Sequence, residues 1–325
     1  LAKGLHAVFG ALWLITLMRL ASAHRTRWAG TVGALALLAS PIVVYELPIA
    51  YVDLAQAAFL LLSFGFGQRA FAAMDRRQAM AALVIAGIAG GLLAASKLIG
   101  IGQAGLVGGG LLWQAMRARE GFVRPRDVVL RFGVVAIAMW LPWPVRSAVE
   151  TGNPVFPLLS TWFGGPHWSP ALGIKLSTWH ADIGMGRGPV DWLLLPWRVT
   201  TQGGPAYGQF AGDIGAHWLV VGALGGVGAW LPSPQRQLAR QSLGLAAALA
   251  LLWAVTSQQA RLLLPALGPL ALAGGLGAAT LRARFVAPKH RPLVGSLALV
   301  IIAGTAVAWP QRALWQEAQQ LAALK

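Results

Sequence analysis

The sequence has no cysteine, which excludes disulfides, thiolate metal sites and cysteine nucleophiles. Charge is almost as scarce. Only 11% of the 325 residues are Asp, Glu, Lys or Arg, against roughly 25% in soluble domains. Asn153 is the one asparagine, and Pro154 after it removes any glycosylation signal. No internal repeat is visible, which counts against a secondary transporter of inverted halves. No basic stripe is interleaved with stacking aromatics, so the net charge of +16 does not read as nucleic-acid binding.

What fills the chain is apolar: 57% of it is hydrophobic and its mean hydropathy is +0.62. Stretches long enough to cross a hydrocarbon core about 30 Å thick recur from end to end. They predict an all-α polytopic transmembrane helical bundle of about ten spans. Six precede a long extracytoplasmic loop: Leu5–Ser22, Thr31–Tyr45, Val52–Gln68, Ala79–Ser96, Leu98–Met116 and Val128–Val145. Four follow it: Ala216–Leu231, Ser242–Thr256, Leu262–Thr280 and Leu293–Trp309. The expected organisation is a single membrane domain over 1–325, with spans in 1–147 and 216–325 and the outer loop in 148–215.

Alternate loops are basic: Arg25 and Arg27; Arg76 and Arg77; Arg117, Arg119, Arg124 and Arg126; Arg236 and Arg240; Arg282, Arg284, Lys289 and Arg291. By the positive-inside rule these loops face the cytoplasm. The opposite loops hold Glu46, Asp53, Glu150, Asp182, Asp191, Asp213 and Glu317. The first span therefore runs from outside inward, which predicts a further helix and outer loop upstream of Leu1. The expected location is a bacterial inner membrane, with the working face periplasmic.

The long outer loop is rich in Gly, Pro, Trp and His. Its Asp191–Val199 segment (DWLLLPWRV) is too short to span and carries Pro196, so it reads as an interfacial or re-entrant piece interrupted at the proline. Gly87 and Gly91, Gly105 and Gly109, and Gly222 and Gly226 have the four-residue spacing of close helix packing. The Gly184–Gly188 run lacks the Lys-Ser/Thr of a phosphate loop and reads as a plain flexible turn. Asp213 fits a helix N-cap for the seventh span.

A few charges stand apart from this pattern. Glu46 ends the second span and Asp53 starts the third, seven residues on across Pro48. A carboxylate at a membrane boundary is costly unless it is wet, paired or functional. The plain alternative is two helix ends in water. Lys97 sits in an outer hinge where lysine is disfavoured; it either answers an anion or snorkels to headgroups. Arg146 and Arg261 repeat the pattern, and three cations on a cation-poor face suit a phosphate. In the loop, His167, His180 and Asp182 match no metal-ligand spacing closely, so the metal stays unknown.

The order of these segments resembles the GT-C superfamily of membrane glycosyltransferases, and within it the glycosyltransferase family 39 and Rgt-type galacturonosyltransferase-like group. Leu5-His6-Ala7-Val8-Phe9-Gly10 resembles the opening of that family's second helix. Ser40-Pro41, Glu46 and Tyr51-Val52-Asp53 resemble its next outer turn, and Gly90-Gly91-Leu92 to Lys97 its Gly-rich helix ending in lysine. Trp140-Leu141-Pro142-Trp143 with Arg146 and Thr151-Gly152-Asn153-Pro154-Val155-Phe156-Pro157 are the most specific stretches. Leu194-Leu195-Pro196-Trp197-Arg198 and Arg261-Leu262-Leu263-Leu264-Pro265-Ala266-Leu267 complete the likeness.

The resemblance implies transfer of a sugar from a polyprenyl-phosphate donor to an envelope glycan, lipid or protein acceptor. It implies catalytic roles for Asp53 and Glu46, with the family's principal carboxylate in a loop preceding Leu1. It also implies donor-phosphate roles for Lys97, Arg146 and Arg261, and acceptor or loop roles for Asn153, His167 and Arg198. A divalent cation, Mg or Mn, belongs to some relatives only. The competing readings are a transporter or flippase for a lipid-linked or anionic solute, and an O-antigen ligase or polymerase. The near absence of charge inside the spans favours the transferase, because a transporter needs polar groups near mid-membrane.

Overall fold

The computed structural model describes residues 2–24, 26–118, 120–166, 168–204 and 209–290. Arg25, Arg119, His167, Arg291, the tenth expected span and Glu317 lie outside the described residues. Among the described residues the fold is all-α, and the one β pairing is an isolated bridge between Gly204 and Gly212. In chain order the helices begin with α1 (Ala2–Ala23), α2 (Arg27–Leu38), α3 (Pro41–Glu46), α4 (Asp53–Phe71), α5 (Arg76–Ser96) and α6 (Leu98–Arg117). Next comes α7 (Pro125–Thr151), then α8 (Ser160–Phe163), α9 (Pro170–Asp182), α10 (Pro189–Thr201), α11 (His217–Trp230) and α12 (Arg236–Thr256). Then α13 (Ala260–Phe285) opens with a 3-10 turn over Ala260–Leu263, and a short 3-10 turn at Pro288–His290 follows it.

Six of these, α1, α5, α6, α7, α12 and α13, are long and apolar enough to cross a membrane. This is a multi-pass membrane protein. The expected second span is broken: α2 ends at Leu38, and α3 restarts at Pro41 after an extended Ser40. The cause is local, because the residue before a proline is pushed out of the helical region while proline itself suits a first helical position. Where the sixth span was expected to end at Val145, α7 runs on to Thr151, through a π-helical stretch at Val128–Gly133. Pro196 does not interrupt its segment either, since α10 continues through it to Thr201.

The chain divides into two compact units, one from the described residues of 1–54 and 183–325, the other from Ala55–Asp182. In the first unit α13 is central and packs on α1, α2, α11 and α12. Small residues let the backbones meet. A Cβ at Gly277 would strike the Leu224 carbonyl, and one at Gly274 would sit 2.8 Å from the Val221 carbonyl. A Cβ at Gly33 would lie 2.9 Å from the Ala271 carbonyl. The expected pair Gly222 and Gly226 faces nothing within 4 Å among the described residues. Its neighbours Gly225 and Gly228 make the contact instead, against Ala273 and Gly277.

In the second unit, Gly87 and Gly91 of α5 do pack as expected, against the backbone of Phe132 and Ala136 in α7. Gly105 and Gly109 of α6 meet nothing within 4 Å among the described residues; Gly67 against Leu111 joins α4 to α6. One glutamine pair, Gln68 donating to Gln114 at 3.4 Å, ties the same two helices further along.

Candidate active site

In the first unit the starts of α1, α11 and α13 and the α3–α4 connection gather at one end. The gathering is held by backbone. Ile42 N donates to Asp213 O at 2.8 Å, and Ala260 N donates to Phe210 O at 2.7 Å. Ser40 Oγ donates to Ile214 O at 2.7 Å. Asp213 accepts from Gly215 N at 2.7 Å, so it shapes the turn two residues on. The N-cap of α11 is Ala216, not Asp213.

Glu46 and Asp53 both reach this end and both are buried, at 1% exposure each. Glu46 closes α3. Asp53 stands in the first turn of α4, where the helix's positive end favours a carboxylate. The connection between them wraps the start of α1, because a Cβ on Gly10 would meet Leu47 and Leu54 at 2.8 and 3.3 Å. One turn before Gly10, His6 is 2% exposed and its Nε2 lies 3.7 Å from Glu46 Oε2. Sequence reasoning quoted His6 only as part of a resemblance and gave it no role. Its signal was present all the same: a histidine inside an otherwise apolar helix start.

Arg261 belongs to the same end. Its guanidinium stands 4.8 Å over the Tyr51 ring, two residues before Asp53, and its Nε donates to Gln259 Oε1 at 3.1 Å. Gln259 is placed by a tied strap between α12 and α13. Trp253 Nε1 donates to Gln259 O at 2.7 Å, and Gln258 Oε1 accepts from Met185 N at 2.7 Å. The Gly184–Gly188 turn is therefore no loose loop. Arg187 bonds the carbonyls of Val255 and Thr256 at 3.2 Å each, and a Cβ on Gly184, whose φ is +103°, would collide with Gln258.

Arg198 is in the first unit too, but is engaged locally. It donates to Asp191 Oδ1 at 2.7 Å, one face of α10. That hydrogen bond first, and the Gly188 amide second, hold the Asp191 carboxyl below its ordinary pKa.

The remaining candidates lie in the second unit. Lys97 is the extended residue between α5 and α6. Arg146 pairs with Glu150 at 2.8 Å one turn on, both largely exposed. Asn153 is fully buried. Its Nδ2 donates to Leu158 O at 2.8 Å and its Oδ1 accepts from Val155 N at 2.9 Å, so its amide staples the turn after α7. His167 lies outside the described residues.

Among the described residues no group of three or more His, Asp or Glu side chains is placed to hold a metal ion.

This multi-pass all-α fold is shared with solved membrane proteins at low sequence identity. The solved structures similar to it include ArnT from Cupriavidus metallidurans bound to undecaprenyl phosphate, at 17% identity and a TM-score of 0.53. That similarity covers 98% of this chain and 57% of ArnT. The same enzyme in its apo state matches at 19% identity and a TM-score of 0.56, over 95% of this chain and 55% of ArnT. This chain thus spans little more than half the length of the protein whose fold it shares. No protein-family model and no curated protein matches its sequence.

Proposed function

We propose that the protein is a membrane glycosyltransferase of the outer face, moving a sugar from a polyprenyl-phosphate donor to an envelope glycan, lipid or protein. The observation that carries this reading is that Glu46 and Asp53 are both buried at one end of the first unit, with His6 3.7 Å from Glu46 and Arg261 over the ring of Tyr51, two residues before Asp53 in the chain. Support comes from the shared fold, since the ArnT structure has undecaprenyl phosphate bound. The layout, in this reading, is the single ten-span domain expected from the sequence, in a bacterial inner membrane, with the cluster on the periplasmic side.

The chemistry follows from the side chains. Asp53 takes the proton of the acceptor hydroxyl as general base. The acceptor oxygen forms its bond to the anomeric carbon from the side opposite the phosphate, and the sugar–phosphate C–O bond breaks with its electron pair passing to phosphate. Configuration at the anomeric carbon inverts. Glu46, positioned by His6, binds acceptor hydroxyls. Arg261 stabilises the charge that grows on the departing phosphate, and its planar fork suits that anion. Lys97 and Arg146 keep, as a proposal for the second unit by itself, the phosphate-binding role expected of them from the sequence. Asn153 acts through the turn it staples, and Arg198 and His167 through the acceptor-side loop. The membrane confines the lipid donor near the site, which sets its orientation in advance. No step is assigned to a metal.

The test is transfer itself. Vesicles containing the protein and a radiolabelled polyprenyl-phosphate sugar should release polyprenyl phosphate and label an acceptor, with the new linkage inverted. Label crossing the vesicle with its sugar–phosphate bond intact would instead establish the transporter reading.

A further inference from the structure

At the opposite end of the first unit the structure holds a cavity of about 580 Å³. It lies between the α1–α2 connection, the Leu231–Gln235 connection and the last turn of α13. Its walls include Arg27, Trp28, Ser233, Gln235, Arg282 and Arg284, and no acidic residue is among the described residues lining it. We infer that this cavity is a binding site for the phosphate of an anionic membrane phospholipid, separate from the proposed transfer site and independent of that reading.

Charge is the first argument. Arg27, Arg282 and Arg284 line one hollow in which no described residue is acidic, and guanidinium groups match phosphate oxygens with paired donors.

Geometry is the second. The Arg282 guanidinium carbon lies 4.8 Å from the centre of the Trp28 ring, a cation–π contact that places it at the cavity wall. The connection across from it is fixed too, with Gln235 donating to His24 O at 3.2 Å. The Ser233 hydroxyl oxygen is buried and, among the described residues, has no hydrogen-bond partner. Such a group is costly unless something supplies a bond, and a phosphate oxygen in the cavity would do so.

Location decides the source. The cavity sits at the ends of α1, α12 and α13, helices of membrane length, with a tryptophan of the kind that settles at the headgroup layer. Its volume falls within the 300–1,000 Å³ typical of small-molecule sites, roughly. A lipid headgroup reaches this place from the bilayer, and its acyl chains stay beside the apolar helices.

The experiment is native mass spectrometry of the full protein in neutral detergent, titrated with phosphatidylglycerol, phosphatidylcholine or inorganic phosphate. One phosphatidylglycerol should be retained in preference to phosphatidylcholine. Arg27→Gln/Arg284→Gln should weaken retention about 30-fold, at about 1 kcal/mol for each of the two basic residues near an anionic surface. Ser233→Ala should weaken it about threefold. Arg236→Gln/Arg240→Gln removes two charges from the same end but outside the cavity walls, and should change retention less than twofold. Should the Gln pair fail to fold, Arg27→Lys/Arg284→Lys keeps the charge, loses the fork, and should still weaken retention severalfold. Equal losses in the two double variants would overturn the site as surface charge alone. Equal retention of both lipids would also overturn it, as would saturation by millimolar inorganic phosphate in place of lipid.

Discussion

The two ends of the first unit handle charge in opposite ways. At one, carboxylates and a histidine are buried among apolar helices, and backbone hydrogen bonds tie Ile42 to Asp213 and Ala260 to Phe210. At the other, arginines line an open hollow without a carboxylate among the described residues. Desolvated charge with fixed neighbours is what reaction chemistry uses, because a preorganised site in low dielectric needs no rearrangement as charge develops. Clustered cations that keep access to solvent hold anions instead. The difference teaches that the same few polar residues are sorted by task along one set of helices, with α13 contributing to both ends.

The strongest way to break that contrast is to remove one buried acid. Asp53→Asn should lower the transfer rate by about 10²–10⁴, while Arg27→Gln at the far end leaves it within twofold, measured as polyprenyl phosphate released per minute. Parallel losses at both ends would erase the distinction. A smaller effect is expected of Arg261→Ala, which removes both the stacking on Tyr51 and the charge facing the leaving group. Transfer should fall about 10- to 30-fold, at the scale of a desolvated cation–π contact, with Arg261→Lys recovering part of it.

A steric change in α13 should disturb both ends together. Gly277→Leu places a side chain against the Leu224 carbonyl, and overpacking of this sort destabilises by about 1–3 kcal/mol. The same change at Gly226, which faces nothing within 4 Å among the described residues, should leave thermal unfolding in detergent unshifted.

The mildest effect concerns α10. Arg198 holds the Asp191 carboxyl below its usual range, so this pair contributes stability that is present above the unfolded carboxylate value, about pH 3.9. That contribution is lost as pH falls from there through the depressed folded value. Wild type should lose its small advantage over Asp191→Asn as pH drops below about 4; a gap that stays constant from pH 7 to pH 3 would remove the pair from the account.

The all-α membrane class was legible because it depends on composition and on apolar runs, which are sums over many residues. Glu46, Asp53 and Arg261 were legible as charges standing where the bilayer makes charge expensive. What escaped was whatever depends on contacts between distant segments. His6 gained meaning only when α3 delivered Glu46 to it, and Gln259 only when it was seen holding Arg261. The glycines make the same point. Gly222 and Gly226 have the right spacing, yet the packing face of α11 carries Gly225 and Gly228, a rotation that spacing alone does not reveal. The break at Ser40–Pro41 was readable in principle from the proline, but the apolar run on either side concealed it.

The most direct measurement is a single-turnover comparison of sugar–phosphate cleavage by wild type and by Glu46→Gln/Asp53→Asn in identical vesicles, with donor binding and melting temperature recorded alongside. The buried acid pair as the reacting end predicts a drop of about 10³ or more in the cleavage rate, with donor still bound and the fold intact. Cleavage at the wild-type rate by the folded double variant would contradict it.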